Sequence, residues 1–388
     1  MQIFLILLLE CFQTMSASGI ALLLPAIRSD LGLSFTQSGS LGAANIFSYA
    51  LMQIPAGYLA DRYGLKQTFL IGAFGTTALL FAFGFVADYR QAFLIQTLAG
   101  VFHAFLFQSA LALLASRFGA ERRATAMGLS LVGIFSGQLL INSVAPSLAG
   151  HFNWRFPFLV FGLAGLLSSC AYFWLGRGPA GAEPARQVGV LDALRFFRDP
   201  FMLVCGMIQF IRLGTIQGIA FWLPSLLIDE KGLALGTTGF ILALRTLFIA
   251  PSNMLGGYLS DKLRQPTAIM ALSLVVLAVT TAALIPVGWG ALLIALIMLN
   301  AMFVQFYFGP IFALPLERYG ARLMGTLSGF GNFLANLGAF GFTYGIGALK
   351  DQTGFFGSGF YAIAVASVVG LALTFWLEKM RCRQPVCA

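Results

Sequence analysis

Apolar side chains run along this chain in long unbroken stretches, separated by short polar segments at nearly regular intervals. No stretch alternates apolar and polar at every second residue, as a membrane β-strand does, so helices rather than a barrel are implied. The pattern predicts twelve spans, near 2–26, 37–59, 67–87, 91–116, 125–148, 155–175, 201–228, 237–259, 267–286, 290–315, 324–349 and 355–377. Each approaches the roughly 20 residues needed to cross a hydrocarbon core. The connections are short, and most contain Gly, Pro, Asp or Arg. The longest runs from Gly176 to Asp199, opens Gly-Arg-Gly-Pro-Ala-Gly, and closes on an amphipathic piece, Val190 to Phe197. The expected organisation is a six-helix bundle over 1–175, a cytoplasmic linker over 176–199, and a second six-helix bundle with a short cytoplasmic tail over 200–388. The fold class is an all-α polytopic membrane protein with twelve transmembrane helices in two pseudo-symmetric bundles.

Composition makes lipid the solvent. Hydrophobic residues are 59% of the 388 and charged residues 10%, against about 25% charged in an ordinary soluble domain. A soluble enzyme, a disordered chain and a disulfide scaffold are all excluded on that balance. The five cysteines show no metal-ligand spacing, and three of them lie within apolar runs, so no disulfide framework is implied. Met1-Gln2 gives no basic leader, and the first apolar run passes Leu24 without a small-residue cleavage pattern. That segment is expected to be a retained span.

The charges orient the layout. With the N-terminus in the cytoplasm, sixteen of the 23 Lys and Arg fall in inside segments, five in outside segments, and two, Arg212 and Arg245, inside spans. That asymmetry follows the positive-inside rule with both termini cytoplasmic. The net charge of +9 then reflects topology, not binding to nucleic acid.

An internal repeat underlies the two bundles. Gly57-Tyr58-Leu59-Ala60-Asp61-Arg62 follows the second span, and Gly257-Tyr258-Leu259-Ser260-Asp261-Lys262 follows the eighth. Arg117-Phe118-Gly119-Ala120 and Arg318-Tyr319-Gly320-Ala321 echo each other at nearly the same offset, each followed shortly by Met-Gly at 127–128 and 324–325. Parallel repeats of this kind build transporters that bind substrate near the midplane, between the halves.

The run Gly57-Tyr58-Leu59-Ala60-Asp61-Arg62-Tyr63-Gly64-Leu65-Lys66 resembles the loop signature of the major facilitator superfamily, apart from Leu65 where a basic residue is usual. The resemblance implies a conformational gate at this loop. Gly57 would let helix two approach helix eleven, Asp61 would cap or pair at the cytoplasmic end of helix eleven, and Arg62, Gly64, Lys66 and the repeat's Asp261 would complete the cluster. Two other family signatures are missing. Gln96 stands where many proton-coupled members have an Arg four residues before a Gly, and span five has Gly133 and Gly137 without the Gly-Pro pair of exporting antiporters. The stretch Gly309-Pro310 through Gly325-Thr326-Leu327-Ser328-Gly329 resembles members that move organic anions with cations.

Four ionisable residues fall within spans: Glu10, His103, Arg212 and Arg245. At a bilayer centre a charge costs roughly 2.5–3.5 kcal/mol even on a lenient scale, so each must face a cavity or a partner. Counted along their helices, all four lie in the middle third of the membrane. In the fold this chain resembles, helices one, four, seven and ten line the cavity. Glu10, His103 and Arg212 lie on the first three, and the tenth supplies Asn300, Gln305 and Tyr307.

Two Arg against one Glu leave the cavity positive, and a guanidinium holds a carboxylate or phosphate through two parallel hydrogen bonds. The expected substrate is a small organic anion, contacted by Arg212, Arg245, Gln209, His103, Asn300, Gln305, Tyr307 and Gln13. Glu10 is the candidate proton carrier, with His103 a second titratable group. The alternatives are a structural role for each Arg and a permanent Glu10–Arg212 ion pair. The resulting expectation is a proton-coupled symporter in a bacterial inner membrane, monomeric, with no cofactor, nucleotide or metal. The second reading is a proton-coupled exporter of drugs or amphipathic metabolites, and the third a transporter-like scaffold that moves nothing.

Overall fold

The computed structural model describes residues 1–117, 123–176, 178, 195–319 and 324–382, with the side chains of Asp61, 123–127, Arg195, Ala250, Leu316, 324–326 and Cys382 outside the description. Most of the linker, with the start of its amphipathic piece, therefore lies outside the described residues, and so do residues 118–122 and 320–323 of the second repeat echo. Among the described residues, thirteen α-helices follow one another and no strand is present. They are α1 (Gln2–Leu31), α2 (Phe35–Tyr63), α3 (Leu65–Phe83), α4 (Tyr89–Ala115), α5 (Arg123–His151), α6 (Arg155–Leu175), α7 (Pro200–Ser225), α8 (Leu235–Leu263), α9 (Pro266–Ala283), α10 (Ala291–Phe306), α11 (Phe308–Tyr319), α12 (Met324–Thr353) and α13 (Gly357–Cys382).

Every expected span is a helix, with one difference. The tenth is broken into α10 and α11 at Tyr307. Pro310 is the cause: it has no N–H for the carbonyl of Phe306, four residues back, and its ring crowds that carbonyl. Ten stretches, counting 291–319 as one, are long and apolar enough to cross a membrane. The remaining two long helices, α2 and α12, have 29 and 30 residues but carry more Gly, Ser, Asn and Gln.

The helix ends are written in the sequence. Ser34 opens α2 with a capping box, its hydroxyl accepting from the Gln37 N–H while the Gln37 side chain accepts from the Ser34 N–H. Gly64 separates α2 from α3 at φ +93°, a conformation that L side chains rarely adopt.

The chain divides into two compact units. The first holds Met1–Arg186 and Leu223–Ala243; the second holds Gln187–Trp222 and Leu244–Ala388. The turn between α7 and α8, expected with the C-terminal bundle, thus belongs to the first unit by its contacts. Its reasons are local. Pro224 interrupts the α7 ladder, and the chain loosens into a π turn at Leu226–Glu230. Asp229 on that turn accepts from Arg28 Nη2 at 3.0 Å, and Gly239 lies so close to α5 that a Cβ would stand 2.3 Å from the Asn142 carbonyl oxygen.

Within the first unit α1 packs on α5, α2 on α4, and α3 on α4 and α6. Lipid gives no hydrophobic drive for helices to associate, so close van der Waals approach at small residues takes its place. Gly137 shows it: a Cβ there would lie 2.3 Å from the Cys11 carbonyl oxygen on α1. In the second unit α9 packs on α10 and α13. The Trp222 indole N–H donates to the Thr343 carbonyl at 2.8 Å.

Candidate functional site

In the first unit Glu10, Gln13 and His103 each carry a polar atom with no partner among the described residues. Glu10 on α1 is fully buried, and its Oε1 accepts from the Ser130 hydroxyl on α5 at 2.5 Å. Its Oε2 has no partner among the described residues. Gly133 makes room for this carboxyl, since a Cβ there would stand 3.1 Å from Oε2. Gln13, one turn along α1, donates Nε2 to the His103 carbonyl at 3.4 Å, which leaves its own Oε1 unfilled. His103 is buried on α4, and its Nε2 finds no partner among the described residues. The expected acid, amide and imidazole are thus all buried or half-buried on α1 and α4.

The second unit presents the arginines. Arg212 on α7 is 3% exposed and donates Nε to Gln209 Oε1 at 2.6 Å. The i, i+3 spacing puts those two side chains on one helix face. The Arg212 Nη1 donates to Gln305 Oε1 at 3.5 Å, and its guanidinium lies over the Phe308 ring, 4.9 Å from the centroid. Both hydrogen-bond acceptors are neutral amides. Among the described residues of this unit no carboxylate pairs with Arg212, so within the unit its charge is oriented but not cancelled. The break at Tyr307 brings Gln305 and Phe308 to opposite sides of one kink. Tyr307 itself is fully buried, and its hydroxyl has no hydrogen-bond partner among the described residues.

Arg245 on α8 is 7% exposed, and its Nε and Nη2 have no partner among the described residues. The repeat supplies an internal comparison. Two hundred residues earlier stands Asn45 on α2, whose Nδ2 donates to both the backbone and side-chain oxygens of Gln96 on α4 at 3.2 and 3.3 Å. The position matching Gln96 at the second echo's offset is Ile297, buried and apolar. The second half therefore carries a guanidinium where the first carries an amide, and an apolar side chain where the first carries that amide's partner.

The Asn300 Nδ2 donates to the hydroxyls of Thr280 and Thr281 at 3.0 and 3.1 Å and so bridges α10 to α9, while its Oδ1 has no partner among the described residues. Amides in spans commonly serve this way.

Near the end of α2, an added Cβ at Gly57 meets nothing within 4 Å among the described residues. The Asp61 side chain lies outside the described residues. Arg62 and Asp261 are exposed, and Arg62 rests over the Tyr63 ring at 5.5 Å. Lys66 Nζ donates to the Phe173 carbonyl near the end of α6 at 3.5 Å. A cation at a helix C-terminus is favoured by the dipole.

Two contributors escaped the sequence reading. Ser130 has a signal, lying three residues before Gly133 on one face of α5. Phe308 had none, because its place beside Arg212 depends on the helix break.

Comparison with known proteins follows this geometry. A family model described as Major Facilitator Superfamily matches residues 6–343. The hexuronate transporter of Bacillus subtilis is 23% identical over 397 residues, covering 95% of this chain and 91% of the relative. A D-galactonate transporter of Escherichia coli is 23% identical over 379 residues, covering 89% and 88%. Among solved structures, a bacterial homologue of the human lysosomal transporter Spinster, inward-facing and unoccupied, aligns with a TM-score of 0.81 at 17% identity over 97% of this chain and 96% of that one. At that identity the likeness speaks for the fold.

Proposed function

Because the chain belongs to the Major Facilitator Superfamily, and so is a multi-pass membrane transporter and not an enzyme, we propose that it moves a small organic anion across the membrane by alternating access. The observation that carries this is the pair of buried guanidiniums, Arg212 and Arg245, with no carboxylate of their own unit to neutralise them among the described residues. A charge in such a place is tolerated when something completes it, and an anion is that something. The two sugar-acid transporters among the relatives support the same class.

In this reading Arg212 takes the anionic head. Gln209 and Gln305 fix the guanidinium's plane, so that its free edge points one way. Arg245 adds a second positive group. Glu10 carries the coupling proton, exchanging it as it makes and breaks its bond with Ser130, and His103 and Gln13 complete the polar wall of their unit. The loop cluster of Gly57, Asp61, Arg62, Gly64, Lys66 and Asp261 is the gate. The two six-helix halves joined by the 176–199 linker are the moving bodies. The excess of Lys and Arg on one side of the spans supports cytoplasmic termini in a bacterial inner membrane.

Uptake assays with Arg212→Gln and Arg245→Gln test the proposal. Both variants are expected to lose most uptake of an anionic substrate while inserting normally. Unchanged uptake in both overturns the anion reading.

A further inference from the structure

The second unit contains a cavity of about 20 Å³ between α7, α11 and α12, room for about one water molecule. Met202, Ile311 and Leu327 give it apolar walls, and Gln209, Ser328 and Cys205 give it polar ones. Gln209 is 3% exposed, and its Oε1 accepts from the Arg212 Nε at 2.6 Å. Only the amide oxygen can answer a guanidinium, which donates and does not accept. The two N–H groups of the same amide must then face another way. Gly331, also on the cavity wall, marks where they go: a Cβ there would stand 3.8 Å from Gln209 Nε2. An amide N–H at such a depth needs an acceptor. Ser328 shares the cavity, yet no direct hydrogen bond joins it to Nε2 among the described residues.

We propose that one ordered water sits in this cavity, accepting a hydrogen bond from Gln209 Nε2 and donating one to Ser328 Oγ, and that it positions Gln209 for Arg212. The Cys205 thiol on the same wall is a third, weaker partner. That brings the water within the two to four contacts that buried waters make. With its oxygen on Arg212 and its nitrogen on the water, Gln209 is tied at both ends. With the nitrogen end bare, the side chain gains by swinging to another acceptor, and it releases the Arg212 Nε. Ser328 and Gly331 are thus positioning residues that act through Gln209, one by its hydroxyl and the other by its missing side chain. The link from this water to the substrate rests on the anion reading above; the water itself does not.

The test compares unfolding midpoints and anion affinities of the purified full-length protein in detergent. An added Cβ at Gly331 makes only ordinary contacts, and at Gly345 on the same helix it meets nothing within 4 Å among the described residues. Both Gly331→Ala and Gly345→Ala gain helix propensity, but only Gly331→Ala expels the water. Its midpoint is therefore expected to fall below that of Gly345→Ala. Ser328→Ala is expected to shift the midpoint less in the Gly331→Ala background than in the wild type, because the water it would release is already gone. D-galacturonate affinity, by calorimetry, is expected to drop roughly fivefold to tenfold in Gly331→Ala and in Ser328→Ala, the worth of about one hydrogen bond, and to hold in Gly345→Ala. A density map that resolves waters should show a peak within hydrogen-bond distance of both Gln209 Nε2 and Ser328 Oγ. A dry cavity gives the opposite result: Gly331→Ala fills it and matches or exceeds Gly345→Ala in midpoint, with Ser328→Ala additive. That outcome, or a map without the peak, overturns the water and leaves the anion reading standing. Unchanged D-galacturonate affinity in both Gly331→Ala and Ser328→Ala overturns the positioning role. Failure of the wild type to bind D-galacturonate counts against the anion reading instead, and the midpoints still decide the water.

Discussion

Gly256 on α8 faces the carbonyl of Phe306 so closely that a Cβ would stand 1.7 Å from its oxygen. That carbonyl is the one Pro310 strips of its helical donor, so the kink that orders Gln305 and Phe308 around Arg212 is seated on a bare backbone. Gly256→Ala must push α8 away or straighten the kink. Overpacking of this sort typically costs about 1–3 kcal/mol. The expected outcome is a lower unfolding midpoint in detergent and loss of transport. Gly257→Ala is the control, because an added Cβ there meets nothing within 4 Å among the described residues. Equal effects from the two substitutions would remove the kink from the account.

Asn300 and Gln305 lie five residues apart on α10 but serve different ends. Asn300 is held by two threonines of α9, whereas Gln305 touches the Arg212 guanidinium. Asn300→Ala is expected to lower stability by about 1–3 kcal/mol, since it strands buried hydrogen-bonding groups, and to leave apparent substrate affinity near wild type. Gln305→Ala is expected to do the reverse, raising the half-saturating substrate concentration with little loss of stability. Paired denaturation curves and uptake titrations separate the two. Should Asn300→Ala weaken substrate binding as strongly as Gln305→Ala, the bridging assignment fails.

These contrasts mark where the sequence was sufficient. Twelve helices, their order and the repeat were legible because hydrophobic run length, Gly and Pro punctuation and the paired Gly-Tyr-Leu motifs are local signals. The Arg212–Gln209 contact was legible because i, i+3 spacing fixes a shared face. The bond from Ser130 to Glu10 was not, since it joins residues 120 apart through a helix packing that no local pattern encodes. The kink at Tyr307 was written in Gly309-Pro310, yet a proline inside an apolar run can bend a membrane helix without breaking it, as Pro25, Pro55 and Pro146 do not break α1, α2 and α5. Asn300 shows the other limit: periodicity places a polar residue on a span but does not say which neighbour answers it.

The Ser130 hydroxyl is the hydrogen-bond partner found for the Glu10 carboxyl among the described residues. Glu10→Gln keeps the shape and removes the titration. Transport by that variant is expected to lose its dependence on external pH and to run only as exchange, with no uphill accumulation driven by a proton gradient. Ser130→Ala keeps the carboxyl, so a pH response should persist, but the midpoint should move as the carboxyl loses its donor. A Glu10→Gln protein that still concentrates substrate under a proton gradient would place coupling elsewhere.

The ion pair of Arg28 with Asp229 holds the α7–α8 turn within the first unit. Arg28 also lies over the Phe35 ring at 3.8 Å, and both charged side chains are about one-fifth exposed, at 19% and 23%. Partial exposure limits such a pair to about 0.5–1 kcal/mol. A double-mutant cycle with Arg28→Ala and Asp229→Ala, read by denaturant unfolding in detergent, should return a coupling energy in that range, reduced at high salt because screening reaches groups at this depth. The pair ties this turn to α1 within the first unit. Breaking the pair is therefore expected to raise labelling of a cysteine introduced at Gly236, whose added Cβ meets nothing within 4 Å among the described residues. A coupling energy indistinguishable from zero, with unchanged labelling, would reduce the contact to an ordinary surface charge pair.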